Sequence, residues 1–110
     1  MTLPTSIALG GSDDIGFGAV IPFYLEVSKE RIAIARTADG LFAFDDLCPH
    51  DGAPLSSGLL ARRAIMCPCD GSLFDLGTGV VLDGPAEMPL RRFIVHEERG
   101  TVTLGRQLGD

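Results

Sequence analysis

Residues 48–55 read CPHDGAPL, and residues 67–75 read CPCDGSLFD. These two stretches hold all three cysteines and one of the two histidines in a chain of 110 residues. In a small intracellular protein, clustered cysteine and histidine indicate a metal site more often than a disulfide framework. The pattern therefore predicts two loops that meet around a metal, with the remaining sequence positioning them.

Length and composition indicate a single globular domain, residues 1–110, with many turns. The chain contains fourteen glycines and seven prolines but no tryptophan, which is typical of short strands joined by turns. Fifteen acidic residues against nine basic ones give a net charge of -6, and the basic residues are scattered along the chain. We therefore expect neither nucleic acid nor an anionic membrane as a partner.

The sequence also shows no targeting or membrane-spanning pattern. Residues 1–6, MTLPTS, lack the basic residues and the long apolar run of a secretory signal. A membrane-spanning helix needs about 20 apolar residues in succession, and the sequence contains no such run. A cytoplasmic location is the resulting expectation.

Hydrophobic periodicity predicts short β-strands on both sides of the two loops. The predicted strands cover residues 7–9, 19–27, 31–37, 41–44, 64–66, 72–75, 80–82, 92–97 and 101–104, with a short helical turn or bend at 58–63 and fraying at 106–110. The core candidates are Phe17, Phe23, Phe42, Phe44 and Phe93. Strands of this length and spacing favour an all-β fold, an antiparallel β-sandwich or a small barrel.

The two loops resemble those of the Rieske 2Fe-2S proteins, in which a C-x-H loop and a C-x-x-H loop hold one cluster. Residues 74–79, FDLGTG, and the later Pro89 and Leu90 are similar to the Rieske ferredoxins that serve bacterial ring-hydroxylating oxygenases. The resemblance implies a Rieske-type antiparallel fold with a cluster-binding part at about residues 46–76. It also implies a 2Fe-2S cluster as the cofactor.

The resemblance assigns Cys48 and Cys67 to one iron and His50 to the other, and it leaves Asp70 where the family has a second histidine. A carboxylate oxygen lies one bond beyond Cγ, as the imidazole Nδ1 does, so Asp70 has the reach to replace that histidine. Two ferric ions, two sulfides and two thiolates sum to a neutral core, which an aspartate makes negative. The expected reduction potential is therefore below the usual Rieske span of about -150 to +300 mV.

Other interpretations of the fourth ligand stay open at this point. Cys69 is one alternative ligand, although the resemblance places it where respiratory Rieske proteins carry a disulfide cysteine whose partner position is Ala53 here. The cluster site is altered or lost in a second alternative, and Asp70 is an introduced substitution in a third. A zinc site is a further option, formed by Cys48, His50, Cys67 and either Cys69 or Asp70.

Three residues beside the ligands are expected to support the cluster. Gly52 and Gly71 lie where the backbone turns tightly and directs amide donors at the sulfurs. Ser72 matches a serine that hydrogen-bonds a bridging sulfide in high-potential Rieske proteins, although a turn hydroxyl explains it equally well. The companion tyrosine of those proteins is replaced by Phe74, which again favours a lower potential.

The charged and titratable residues outside the ligand set suggest docking rather than catalysis. Asp45, Asp46 and Asp51 flank the first loop and suggest an acidic docking surface, or else solvated loop charge. His96 lies among charged residues in a late strand and is expected to be solvated. No nucleophile-and-base motif, phosphate loop or dinucleotide fingerprint occurs, so no catalysis is expected.

The predicted function is transient transfer of single electrons from a flavin-dependent reductase to a terminal oxygenase. In such a carrier the cluster supplies the redox chemistry, while the protein holds it near the surface and tunes its potential. A function of another class is the alternative: a regulatory or structural Rieske-fold subunit, such as a redox or iron sensor or the small subunit of a nitrite reductase.

Overall fold

The computed structural model describes residues 7–26 and 28–108, whose regular secondary structure is almost entirely β-strand. Within them the strands are β1 Ile7–Gly11, β2 Val20–Leu25, β3 Glu30–Thr37, β4 Gly40–Asp45, β5 Leu59–Ala61, β6 Ala64–Met66, β7 Leu73–Asp75, β8 Val81–Asp83, β9 Arg92–Glu98 and β10 Thr101–Leu108. Two single-turn 3-10 helices cover Ser12–Asp14 and Leu55–Ser57. In this described part, no helix is long and apolar enough to cross a membrane. The prediction of an all-β fold is confirmed.

Six strands form an antiparallel sheet in the order β1-β10-β9-β4-β3-β2. The sheet curls into a nearly closed barrel, because β1 and β2, at its two ends, line the same cleft through Ile7, Leu9, Phe23 and Leu25. The small barrel expected from the strand pattern is therefore present.

A second antiparallel sheet, in the order β5-β6-β7-β8, contains the second of the two cysteine loops. The hairpin between β6 and β7 contains residues 67–72, and the chain that leaves β4 contains residues 46–54. A bridge between Leu47 and Pro54 closes the base of this first loop. Both loops lie within residues 46–76, and the role of this segment in binding a cluster stays a prediction.

Strand β3 separates two hydrophobic cores and is buried on both faces. Its alanines, Ala33 and Ala35, belong to the core that joins the barrel to the small sheet, together with Phe44, Leu55, Ile65 and Phe74. Its isoleucines, Ile32 and Ile34, belong to the core inside the barrel, with Ile15, Val102 and Leu104. The side-chain period of two along a strand explains this division.

Three local predictions are wrong. Residues 58–63 form strand β5 and a hairpin turn instead of a helical turn, because Leu60 pairs with Ile65 and Arg62 adopts a left-handed φ of 56°. Phe17 is 77% exposed, whereas Phe44 and Phe93 are buried as expected. Residues 106–108 continue β10 instead of fraying, and residues 109–110 lie outside the described part.

Candidate metal centre

The first loop is a tight turn that fixes Cys48. The amide of Cys48 donates to the carbonyl of Ala53 at 2.8 Å, and the amide of Gly52 donates to the carbonyl of Cys48 at 2.8 Å. Gly52 has a φ of 77°, which glycine adopts at little cost. The Cys48 side chain is consequently held in a buried position at the base of the turn.

The second loop repeats the same hydrogen-bond pattern around Cys67. The amide of Cys67 donates to the carbonyl of Ser72 at 2.8 Å, and the amide of Gly71 donates to the carbonyl of Cys67 at 3.1 Å. Gly71 has a φ of 78°. The amides of Gly52 and Gly71 thus donate to the cysteine carbonyls within the turns. Their hydrogen bonding to sulfur stays a prediction, and the observed bonds do not favour it.

The two loops bring their donor side chains together. The Sγ atoms of Cys48 and Cys67 and carboxylate oxygens of Asp51 and Asp70 all lie within 4.8 Å of one another. The Nδ1 atom of His50 lies 2.6 Å from Oδ2 of Asp70. Three of the four residues predicted as ligands, Cys48, Cys67 and Asp70, therefore meet in space together with Asp51. The fourth, His50, contacts the group through Asp70.

Asp70 is oriented by the backbone of its own loop. Its Oδ1 atom accepts a hydrogen bond from the amide of Ser72 at 2.8 Å, which leaves Oδ2 facing His50. This amide, followed by weaker contributions from the side chains of Ser72, His50 and Cys67, holds the pKa of Asp70 well below its usual range. The hydrogen bonds thus favour the ionised form of the residue, which is the form that a carboxylate ligand requires.

The pKa of the Cys67 thiol is shifted in the opposite direction from that of Asp70. Burial, the largest cause, raises its pKa to about 12. The thiol donates to Oδ1 and Oδ2 of Asp51 at 3.6 and 3.7 Å. Cys67 therefore stays protonated until a metal displaces the proton, as expected for a buried cysteine ligand.

Three further predicted residues occupy distinct positions. Cys69 is exposed and is not one of the four donors that lie within 4.8 Å of each other. Ser72 is buried, and its Oγ accepts a hydrogen bond from the amide of Ala86 at 3.0 Å, which leaves the hydroxyl proton free to donate. His96 is exposed on β9, as expected. The ligand roles of Cys69 and Asp70 and the sulfide contact of Ser72 remain predictions.

The predicted acidic docking surface is wrong for two of its three residues. Asp46 is fully buried, pairs with Arg31 and accepts a hydrogen bond from the amide of Ser56 at 2.8 Å. Asp45 pairs with Arg91 at 3.0 Å. Asp51, the third residue, turns its carboxylate towards Cys67. Ion pairs within the chain therefore neutralise Asp45 and Asp46, whereas Asp51 stays exposed.

Sequence reasoning did not assign residues 84–90 to the site. Pro85, Glu87 and Met88 form a cleft of about 350 Å³ with Pro49 and the half-exposed His50. Leu90 anchors this segment, because its side chain is buried and its amide donates to the carbonyl of Gly79 at 2.8 Å. The sequence feature that could have indicated this segment is the proline-containing stretch DGPAEMPL at 83–90, which lacks the alternation of a strand.

The donor chemistry fits a 2Fe-2S cluster. Two buried thiols, Cys48 and Cys67, are the soft ligands that iron and sulfide require. His50 and Asp70 add a nitrogen and an anionic oxygen on facing side chains. These residues would hold the cluster, with Asp70 in the place of the usual second histidine.

The sequence and the fold are both similar to those of known proteins. Residues 6–94 match the Rieske [2Fe-2S] domain. The ferredoxin component of naphthalene 1,2-dioxygenase/salicylate 5-hydroxylase systems from Ralstonia sp is 34% identical over 92 residues, which are 84% of this chain and 86% of that protein. Apoptosis-inducing factor 3 from Mus musculus is 32% identical over 80 residues, which are 73% of this chain and 13% of that protein.

Solved structures give the same result. A chain from the complex of reduced oxygenase and oxidized ferredoxin in carbazole 1,9a-dioxygenase has a TM-score of 0.86 and 28% identity, over 96% of this chain and 98% of that one. The predicted 2Fe-2S cofactor is confirmed by the family match over residues 6–94. The chain belongs to the Rieske [2Fe-2S] domain family.

Proposed function

We propose that this protein is a Rieske-type ferredoxin that carries single electrons from a flavin-dependent reductase to a terminal oxygenase. The observation that carries the proposal is the meeting of Cys48, Cys67 and Asp70, with His50 in contact with Asp70 and its side chain 44% exposed. The Ralstonia sp relative is a ferredoxin component of a dioxygenase system, and the carbazole dioxygenase structure is a complex with an oxygenase. The proposed setting is the cytoplasm, with residues 1–110 as one domain.

In this proposal each residue has a defined task, and the bound cluster supplies one-electron redox chemistry. Cys48 and Cys67 are buried and would hold one iron as thiolates. His50 and Asp70 would hold the other, and the exposed His50 imidazole would face a docked partner. The protein itself performs no catalysis.

The surface around His50 suits a transient partner. Pro49, Pro85 and Met88 present an apolar area beside the imidazole, and Glu87 adds one exposed carboxylate. Brief electron-transfer encounters bury small interfaces whose charges mainly affect the association rate. We propose that the oxygenase and the reductase use this surface in turn.

Asp70 determines the expected electrochemistry. Its carboxylate is ionised throughout the physiological pH range, because hydrogen bonds hold its pKa well below the usual value. Reduction therefore adds an electron to a more anionic site, and His50 is the single imidazole available for proton coupling. We expect a potential below about -150 mV and a pH dependence corresponding to at most one proton.

The test is electron paramagnetic resonance of anaerobically purified, dithionite-reduced protein, with iron and sulfide assays and voltammetry on the same sample. Two irons and two sulfides with a spin-half signal are expected, and Asp70→His should raise the potential into the range of about -150 to +300 mV. It should also add a second proton to the pH dependence.

Asp39→His, in the turn between β3 and β4, is the matched control because it makes the same charge change away from the loops. Its potential should stay close to that of the unaltered protein. Absence of iron would refute the electron-carrier function. An unchanged potential in Asp70→His would refute the role of Asp70 as a ligand but not the electron-carrier function.

A further inference from the structure

We propose that, when no cluster is bound, the same two loops bind one tetrahedral divalent transition-metal ion through Cys48, Asp51, Cys67 and Asp70. The inference rests on the loop geometry and does not depend on the electron-carrier function. This ligand set differs from the zinc site considered from the sequence, which used His50 in place of Asp51. Zn²⁺ is the expected physiological ion.

A repeat in the sequence supports the proposal. Residues 48–52 read CPHDG and residues 67–71 read CPCDG, so each loop contains the pattern CPxDG. Each cysteine is followed three positions later by an aspartate. This is the Cys-x-x-ligand spacing of structural zinc sites, with a carboxylate as the second ligand of each pair.

The two aspartates are oriented by the same local device. Oδ1 of Asp51 accepts a hydrogen bond from the amide of Ala53 at 2.9 Å, and Oδ1 of Asp70 accepts one from the amide of Ser72 at 2.8 Å. In both loops the acceptor and the donor are two residues apart, which is an Asx turn. Each carboxylate is thereby turned towards the cysteines before any metal binds.

The distances match one ion. Tetrahedral zinc binds sulfur at about 2.3 Å and carboxylate oxygen at about 2.0–2.2 Å, so neighbouring donors are about 3.3–3.8 Å apart. The four donor atoms of Cys48, Asp51, Cys67 and Asp70 lie within 4.8 Å of each other, so a small adjustment of the side chains would bring them to this spacing. A two-iron cluster, by contrast, divides its four protein ligands between two metal atoms.

His50 has a different place in the two ligand sets. Its Nδ1 contacts Oδ2 of Asp70 at 2.6 Å, so in the single-ion form it supports Asp70 from outside the coordination sphere. In the cluster form it is a ligand itself. The two forms therefore share Cys48, Cys67 and Asp70 and differ in the use of Asp51 or His50, and binding of the single ion releases the two thiol protons.

The test uses Co²⁺ as a coloured probe for the zinc site. Cluster-free full-length protein, prepared anaerobically, is titrated with Co²⁺ and then with Zn²⁺. One Co²⁺ per chain, with the visible bands of tetrahedral geometry and a thiolate charge-transfer band, is expected. Zn²⁺ should then displace the Co²⁺ and remove these bands.

Two variants separate the ligand sets. Asp51→Asn keeps an oxygen acceptor for the Ala53 amide but removes the anionic ligand, so Co²⁺ affinity should fall at least tenfold while the assembled cluster keeps two irons and two sulfides. His50→Ala should lower Co²⁺ affinity less than Asp51→Asn does, because it removes only a support of Asp70, and it should lose the cluster. Asp39→Asn, with the same charge change in a distant turn, should alter neither.

A gain-of-ligand variant keeps the test decisive if Asp51→Asn folds poorly. Asp51→Cys should strengthen Co²⁺ binding and increase the thiolate charge-transfer intensity. Loss of Co²⁺ affinity in His50→Ala without loss in Asp51→Asn would overturn the proposal, as would binding of two ions per chain or of none.

Discussion

The two metal loops share the pattern CPxDG and the same internal hydrogen bonds, but they are anchored to different parts of the molecule. The first loop is gripped by the barrel, because the buried carboxylate of Asp46 pairs with Arg31 of β3 and accepts from the amide of Ser56 just after the loop. The second loop is a hairpin of the small sheet, tied by Ser72 to the amide of Ala86.

This difference indicates that the CPxDG motif determines the local structure of each loop, whereas long-range contacts bring the two loops together. An ion pair between the barrel and the first loop determines where Cys48 lies. Packing of residues 84–90 against the small sheet determines where Cys67 lies. Substitutions at the two anchors should therefore have separable effects, and those effects should exceed that of changing an exposed loop side chain.

The largest effect is expected from Arg31→Ala, which breaks the anchor of the first loop. Asp46 would be left as a fully buried carboxylate without its cation, at a cost of about 3–5 kcal/mol in the free energy of unfolding. Urea unfolding measures this change. The matched control is Arg91→Ala, which removes partly exposed ion pairs to Asp45 and Glu30 and should cost about 1 kcal/mol or less. Equal losses would show that Asp46 does not anchor the loop.

A smaller effect is expected at the second anchor, from Gly79→Ala. Gly79 has a φ of 82°, and a Cβ there would lie 2.5 Å from the carbonyl oxygen of Leu90, so segment 84–90 must shift. The expected loss is about 2–3 kcal/mol, against about 1 kcal/mol for Gly71→Ala. Gly71 has a similar φ of 78° but open space around it, so Gly71→Ala measures the cost of the backbone strain without a steric clash. Thermal unfolding compares the two variants, and identical melting temperatures would contradict the role of the Leu90 contact.

The smallest effect is expected from Cys69→Ser, because this side chain is exposed in the second loop. Its unfolding free energy should change by no more than about 0.5 kcal/mol, and its iron and sulfide content should not change. Cys67→Ser, two positions earlier and buried, should lose the cluster. Iron and sulfide assays on both variants provide the measurement. Loss of iron in Cys69→Ser would favour the ligand set of three thiolates and His50.

Local patterns were sufficient to predict most of the strands and the meeting of the two loops. The strand predicted at 31–37 is β3, and its burial on both faces follows from the two cores on either side of Ile32 and Ala33. The partners of Asp45 and Asp46 were not predictable in this way, because Arg91 and Arg31 are 46 and 15 positions distant and only the barrel topology brings them close.

One error and one omission have local causes. Phe17 was expected in the core from its residue type, but it lies between two glycines in the turn before β2, and Ile15 fills the barrel instead. Asp51 is exposed, as its interpretation as a surface charge implies, but its contact with the Cys67 thiol was not predicted. Comparing the two loops residue by residue shows that Asp51 and Asp70 follow Cys48 and Cys67 at the same distance.

The cleft between β1 and β2 has a consequence for self-association. Strands at the ends of an open sheet expose amide and carbonyl groups that another chain can pair with, which is a common route to aggregation. Here β2 carries Pro22, which has no amide proton to donate, and β1 has an irregular register between Ala8 and Gly10. Both features discourage the addition of a further strand at the two edges of this incompletely closed sheet.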